Sequence, residues 1–142
     1  AHDFTPFRPL ADMPLAMTAH VVFTALDKRR PATISRKIVR EIMRGELGYD
    51  GLIMTDDISM KALRAPIAES SAQAIEAGCD IVLHCNGDMA EMRAVAGAVP
   101  VLSGQAARRA ARAMALVGQP AAADADVAEV WSEYQGLVEA VA

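Results

Sequence analysis

A short apolar run that ends in two adjacent carboxylates constrains the fold of this chain more than any other feature. Residues 51–54 read Gly-Leu-Ile-Met and lead through Thr55 directly into Asp56 and Asp57. An apolar run of this length beside a glycine is typical of a strand buried on both faces, as in a parallel sheet covered by helices. Because catalytic groups of such α/β folds gather at the carboxyl ends of strands, the acidic pair is the candidate functional site.

Two more strand candidates flank this run, and helical patterns separate the three. Segments 15–23 and 79–86 predict strands, while residues 34–44 carry apolar side chains at helical spacing beside a basic face. Residues 67–77 predict a second helix, which Gly78 ends. This alternation implies right-handed crossovers and a parallel sheet. Since three strands leave both edges of a sheet open, the pattern indicates part of a larger sheet.

Three further helices are predicted after the third strand. The first runs from Asp88, which can cap it, to about residue 99, and the others cover 103–117 and 126–141. Trp131 and Tyr134 are spaced to share a face of the last helix. We expect these two rings to anchor that helix to the body of the protein.

The charge of the chain argues against anionic partners. Its 142 residues carry a formal net charge of −4 and no long basic run, so we expect neither nucleic acid nor a membrane surface as partner. Arg108, Arg109 and Arg112 share a helix face, which we interpret as solvated in preference to a phosphate site. With no membrane-crossing segment and no signal-peptide pattern, a cytoplasmic protein is expected. Cys79 and Cys85 are interpreted as reduced thiols in or near the core.

The spacing of the adjacent carboxylates is compatible with three interpretations. Neighbouring residues of a strand point to opposite faces, so Asp56 and Asp57 cannot both face one atom. One could act as a nucleophile or general base at the mouth of a barrel, while the other holds the following loop through backbone N–H groups. A purely structural role, in which the pair caps a helix or closes a turn, is given the same weight as this catalytic role. A divalent-metal site is weaker, because no further acidic cluster supplies the necessary oxygen ligands.

The residues around the pair resemble the active-site signature of glycoside hydrolase family 3. Residues 42–59 match the pattern in which a helix end, a glycine and an apolar strand deliver a Ser/Thr-Asp pair. The extension 55–63 is similar to the bacterial β-N-acetylglucosaminidase branch that recycles peptidoglycan. The segments 17–21, 31–35 and 77–80 also resemble that branch in order and spacing.

The resemblance implies a fold, a reaction and a substrate. It covers about residues 1–118, which would be the C-terminal part of a TIM-barrel catalytic domain, about three of its eight strand–helix units. Residues 119–142 would form a C-terminal loop and helix packing on the barrel. The implied activity is a retaining β-N-acetylhexosaminidase that removes terminal β-linked GlcNAc from muropeptides, with no cofactor and no metal. In that family the Asp after Ser/Thr is the nucleophile, a role that falls on Asp56 and leaves Asp57 as its structural neighbour.

The sequence lacks the acid that would complete such a mechanism. In the resembled branch this acid is a His on a mobile loop with a Lys-His-x-Pro-Gly-His-Gly-like sequence, and no such segment occurs here. The expected partner is therefore the missing N-terminal part of the barrel, and the alternative is a non-catalytic half-barrel that assembles with another chain. His20 is a candidate substrate-binding or wall residue, with a hydrogen-bonded wall histidine favoured. For His84 a packing role is expected.

Overall fold

A parallel sheet of three strands forms the centre of the computed structural model, which describes residues 2–117 and 127–141. The strands, in sheet order, are β1 (Leu15–Met17), β2 (Leu52–Asp57) and β3 (Ile81–Leu83). β2 pairs in parallel with both neighbours, and Ala16 of β1 lies opposite Ile53 of β2. The prediction of an α/β fold with a parallel sheet is confirmed.

Helical segments connect and follow the strands. In chain order they are two 3-10 helices (His2–Leu10 and Ala32–Ile34), a π-helix (Lys37–Glu46), and the α-helices α1 (Ile67–Ala77), α2 (Met89–Ala98), α3 (Gly104–Met114) and α4 (Val127–Val141). Gly78 ends α1, as predicted, with a φ of 119° that few residues other than glycine adopt. Asp88 caps α2, also as predicted, because its carboxylate accepts hydrogen bonds from the N–H groups of Ala90 and Glu91.

Two elements differ from the sequence prediction. β1 has only three residues, because the chain leaves the sheet after Thr18 donates its N–H to the Met54 carbonyl oxygen at 2.9 Å. The single helix predicted over 34–44 is divided at Ser35. The Ser35 hydroxyl donates to Asp27 at 2.7 Å and accepts the Ile38 N–H at 3.3 Å, so it interrupts one helical segment and caps the next.

The two faces of the sheet are covered unequally. Ile53, fully buried, packs with Val39 and Ala74 on the face covered by helices. Leu15 and Met17 of β1 point to the other face, and each is about half exposed, at 49% and 52%. The described residues thus leave one apolar face of the sheet without full cover.

A cluster of charged side chains joins the amino-terminal ends of β2 and β3 to α3. Asp80, whose side chain is 6% exposed, accepts hydrogen bonds from the Ile53 N–H at 2.9 Å, from Arg44 and from Arg109. Arg109 also donates to Asp50 at 2.8 Å. The interpretation of the arginine face as solvated is wrong for Arg109, which is 15% exposed, because the fold brings two carboxylates against α3.

The contact between Asp50 and α3 makes the fold sensitive to acid. Hydrogen bonds from Arg109 and Arg112 lower the pKa of Asp50 from 3.8 to about 2. Since this folded-state pKa lies below the unfolded value, the contact stabilises the fold above about pH 4 and is lost as the pH falls towards 2. We expect the free energy of unfolding to decrease over that window, and to decrease less steeply in Asp50→Asn, which cannot ionise. Urea unfolding between about pH 5 and pH 2 measures both slopes, and equal slopes would contradict the prediction.

The structure also places the cysteines and the aromatic pair of the last helix. Cys79 is buried, and burial raises the pKa of its thiol to about 12, whereas Cys85 is exposed and not in the core. Trp131 and Tyr134 stack on each other with ring centroids 5.4 Å apart, and each remains more than half exposed. The anchoring of this helix to the body of the protein stays a prediction. Within residues 2–117 and 127–141, no helix combines the length and the apolar character needed to span a membrane.

Candidate active site

The ends of the three strands bring polar side chains to one edge of the sheet. Residues 18–20 follow β1, Asp56 and Asp57 close β2, and residues 84–86 follow β3. Because all three strands are parallel, these carboxyl ends lie side by side. The acidic pair is partly exposed at the centre of that edge.

Asp56 is partly exposed at the end of β2. The preceding Thr55 is fully buried. The Oδ1 atom of Asp56 accepts the Asp57 backbone N–H at 2.8 Å. No other hydrogen bond reaches this carboxylate from the described part of the chain, so Oδ2 is open to a ligand.

Asp57 uses its carboxylate within the protein. Its Oδ2 accepts the Ser59 hydroxyl at 2.7 Å, and its Oδ1 accepts the N–H groups of Ser59 at 3.1 Å and Cys85 at 3.2 Å. The hydrogen bond from the Ser59 hydroxyl is the main cause that lowers the pKa of Asp57. Asp57 therefore ties the loop after β2 to the loop after β3 as an ionised carboxylate.

His20 links three segments at the same edge. Its Nε2 lies 2.9 Å from the backbone carbonyl oxygen of Asp57, and its Nδ1 lies 2.7 Å from the Thr33 hydroxyl. The Thr33 hydroxyl also lies 2.9 Å from that of Thr18 and 3.1 Å from the Ala19 carbonyl oxygen. Both ring nitrogens of His20 are thus engaged by protein atoms.

His84 is held by a carboxylate of α2. Its Nε2 lies 2.9 Å from Glu91, which also accepts a hydrogen bond from the Asn86 side chain at 2.6 Å. The contact with His84 is the main cause that lowers the pKa of Glu91. The His84 side chain is only 7% exposed, as the expected packing role requires.

Two buried threonines contribute to the site, although the sequence did not predict them as site residues. Thr33 and Thr55 are both fully buried. Thr55 accepts the Leu83 N–H at 2.9 Å through its hydroxyl, which ties β2 to β3 directly before Asp56. A hydroxyl-bearing residue directly after an apolar run was a signal for Thr55, since a buried hydroxyl needs a partner. No local pattern marks Thr33, whose partner His20 is 13 positions away.

The arrangement suits a carboxylate reaction better than a metal site. Within the part of the chain that the structure describes, no group of three or more His, Cys, Asp or Glu side chains is placed to hold a metal ion. Both carboxylate oxygens of Asp57 already accept hydrogen bonds from protein donors. In the described residues, Oδ2 of Asp56 accepts none and is available to a ligand. A single open carboxylate at a strand end can attack an electrophilic carbon or accept a proton.

These features define an α/β protein whose polar groups meet at the carboxyl ends of its parallel strands. The family model for the Glycosyl hydrolase family 3 N terminal domain matches residues 1–116. The chain belongs to glycosyl hydrolase family 3.

Relatives in this family carry names of hexosaminidases. The chain is 47% identical to a beta-hexosaminidase of Alkalilimnicola ehrlichii over 88 residues, which cover 59% of this chain and 25% of the relative. It is 38% identical to that of Tolumonas auensis over 122 residues, covering 82% of this chain and 34% of the relative. The structure of NagZ from Neisseria gonorrhoeae in complex with N-trifluoroacetyl-D-glucosamine is 32% identical with a TM-score of 0.67, covering 78% of this chain and 33% of that one. The chain thus spans a quarter to a third of the length of these relatives.

Proposed function

We propose that this chain supplies the nucleophile of a retaining β-N-acetylhexosaminidase, and that Asp56 is that nucleophile. The observation that carries the proposal is the unequal use of two adjacent carboxylates: Asp57 is bound to loop donors, while Asp56 leaves Oδ2 open. In a retaining mechanism such a carboxylate attacks the anomeric carbon and forms a glycosyl-enzyme ester. Water then hydrolyses the ester with net retention of configuration.

The proposed substrate is a terminal β-linked GlcNAc on a peptidoglycan fragment, such as a muropeptide. The names of the relatives support a hexosaminidase, and the gonococcal NagZ complex contains an N-acylated glucosamine. The proposal of a muropeptide substrate rests on the likeness of residues 55–63 to enzymes of peptidoglycan recycling. We propose a cytoplasmic location together with that substrate. The same likeness suggests that no cofactor is needed.

The open sheet supports a role as part of a barrel. In the described chain β1 and β3 have one strand neighbour each, and Leu15 and Met17 expose apolar surface on the less covered face of the sheet. We propose that the N-terminal strand–helix units of a TIM barrel pair with these edges and cover this face. Those units would also carry the acid that protonates the leaving oxygen.

Covalent trapping tests the proposed nucleophile. The protein for this test is a chimera in which our chain replaces the matching segment of the Tolumonas auensis beta-hexosaminidase, which supplies the rest of the enzyme. A 5-fluoro-N-acetylglucosaminyl fluoride forms a glycosyl-enzyme ester that hydrolyses slowly, so peptide mass spectrometry can locate the label. We expect the label on Asp56 in the chimera and none in its Asp56→Asn variant. A label on any other residue would overturn the assignment.

A non-catalytic half-barrel is the second candidate, and the half-exposed Leu15 and Met17 favour it. It predicts that the chain forms a stable dimer through its open sheet and that the chimera has no glycosidase activity. Size-exclusion chromatography with light scattering, together with an assay of the chimera on an aryl β-N-acetylglucosaminide, distinguishes the two candidate functions. An active chimera removes this candidate.

A further inference from the structure

We propose that His20 is a positioning residue that orients the Asp56 carboxylate through the backbone of Asp57. This inference rests on the proposed role of Asp56 as nucleophile. It starts from the fact that both backbone polar groups of Asp57 are hydrogen-bonded at the site: its N–H to Asp56 Oδ1 at 2.8 Å, and its carbonyl oxygen to His20 Nε2 at 2.9 Å.

The chemistry of the two partners determines where the imidazole carries its proton. A backbone carbonyl oxygen can only accept, so His20 Nε2 must carry a hydrogen and donate it to Asp57. Nδ1 contacts the Thr33 hydroxyl, 2.7 Å away, whose one hydrogen can be directed to Nδ1 or to the Ala19 carbonyl oxygen at 3.1 Å. The imidazole is consequently held at both ends, by a fully buried threonine on one side and by the end of β2 on the other.

This link matters because Asp57 lies where β2 pairs irregularly. The register between β2 and β3 shifts between Met54 and Asp57, and pairing resumes at Asp57, where the Ile58 N–H donates to the Leu83 carbonyl oxygen at 2.9 Å. His20, 37 positions earlier in the sequence, adds a side-chain bond to the Asp57 carbonyl oxygen at this irregular place. If that bond is lost, residue 57 can shift and its N–H no longer holds Asp56 Oδ1 in place. A displacement of about 1 Å at a reacting group costs on the order of 100-fold in rate.

Two matched substitutions separate the two hydrogen bonds of His20. The amide nitrogen of Gln reaches the position of Nε2, so His20→Gln can still donate to the Asp57 carbonyl oxygen. The shorter Asn reaches only the position of Nδ1, so His20→Asn keeps the Thr33 contact and loses the bond to Asp57. If His20 only stabilises the loop, the folded fractions of the two variants should show no difference in the positioning of Asp56.

The readout is the rate constant of Asp56 labelling by the fluorinated sugar in the chimera. Fluoride leaves with little help from an acid, so this rate reports the attack of the carboxylate. We expect labelling to be about 10- to 100-fold slower in His20→Asn and within a few-fold of the parent in His20→Gln. The KM for an aryl β-N-acetylglucosaminide should change much less than kcat, since His20 acts on the nucleophile.

Three results would overturn the inference. The first is parental labelling by His20→Asn, and the second is an equal loss in both variants that follows their thermal stability. The third is a loss seen only with poor leaving groups, which would assign His20 to proton donation. An unlabelled Asp56 in the parent chimera would instead remove the proposed function. Nitrogen-15 NMR of the unsubstituted chimera gives an independent check, because a ring without a proton on Nε2 contradicts the link to Asp57.

Discussion

Replacing Asp56 by alanine is expected to lower kcat of the chimera by roughly four to six orders of magnitude, the scale seen when a covalent nucleophile is removed. The expected loss is large because Oδ2 of Asp56 is the carboxylate oxygen that the neighbouring donors leave open. The remaining groups can bind the sugar but cannot form the ester that divides the reaction into two easier steps. Steady-state hydrolysis of an aryl β-N-acetylglucosaminide measures the effect.

Two controls distinguish loss of the nucleophile from loss of structure. Asp57→Ala removes a carboxylate of the same size one residue away, and we expect a loss of about 10- to 100-fold because the loops after β2 and β3 separate and Asp56 is misplaced. Azide can enter the space vacated in Asp56→Ala and attack the same face of the sugar, so an α-glycosyl azide should form from the β-glycoside. Equal losses in the two alanine variants, or a β-glycosyl azide, would contradict the assignment.

Replacing Asp80 by asparagine is expected to lower the free energy of unfolding of the protein by about 3 to 5 kcal/mol, the cost of leaving a buried charge without its partner. Asp80 is 6% exposed and neutralises Arg44 and Arg109, both of which are mostly buried. Asparagine keeps the volume of the side chain but places an amide NH2 where one arginine now donates. Burial already lowers the pKa of Arg44, so this guanidinium depends on the charge of Asp80.

Asp50→Asn is the matched control for this effect. Asp50 contacts the same Arg109, but its side chain is 56% exposed, so solvent replaces much of the lost interaction. Urea denaturation at neutral pH should therefore show a much smaller change for Asp50→Asn than for Asp80→Asn. Comparable changes in the two variants would mean that burial of Asp80 does not determine the cost.

Local patterns predicted the elements that depend on neighbouring residues. The apolar stretch before Asp56, the helix that ends at Gly78 and the cap at Asp88 all appear where the sequence placed them. Each depends on side-chain periodicity or on a backbone preference within one turn. The first strand was predicted too long because its prediction rested on apolar composition up to residue 23, whereas the pairing of β1 with β2 ends at Met17 and Met54.

Charge patterns were a poorer guide than periodicity. Arg109 lies on a helix face that looks solvated in the sequence, yet it contacts Asp80, 29 positions earlier. Cys85 follows an apolar strand and was expected near the core, yet its side chain is exposed. For Arg109 the decisive neighbour comes from a different strand–helix unit, which no local pattern specifies.

The sequence by itself determined the order of strands and helices, the place of the acidic pair and the likeness to glycosyl hydrolase family 3, because these depend on the identity and spacing of nearby residues. Only the tertiary structure decided how the two carboxylates differ. The bonds from Cys85 to the Asp57 carboxylate and from His20 to the Asp57 carbonyl oxygen cross 28 and 37 positions of the chain. They form because parallel crossovers return the chain to the same edge of the sheet, where donors of the described residues engage the Asp57 carboxylate and none of them reaches Oδ2 of Asp56.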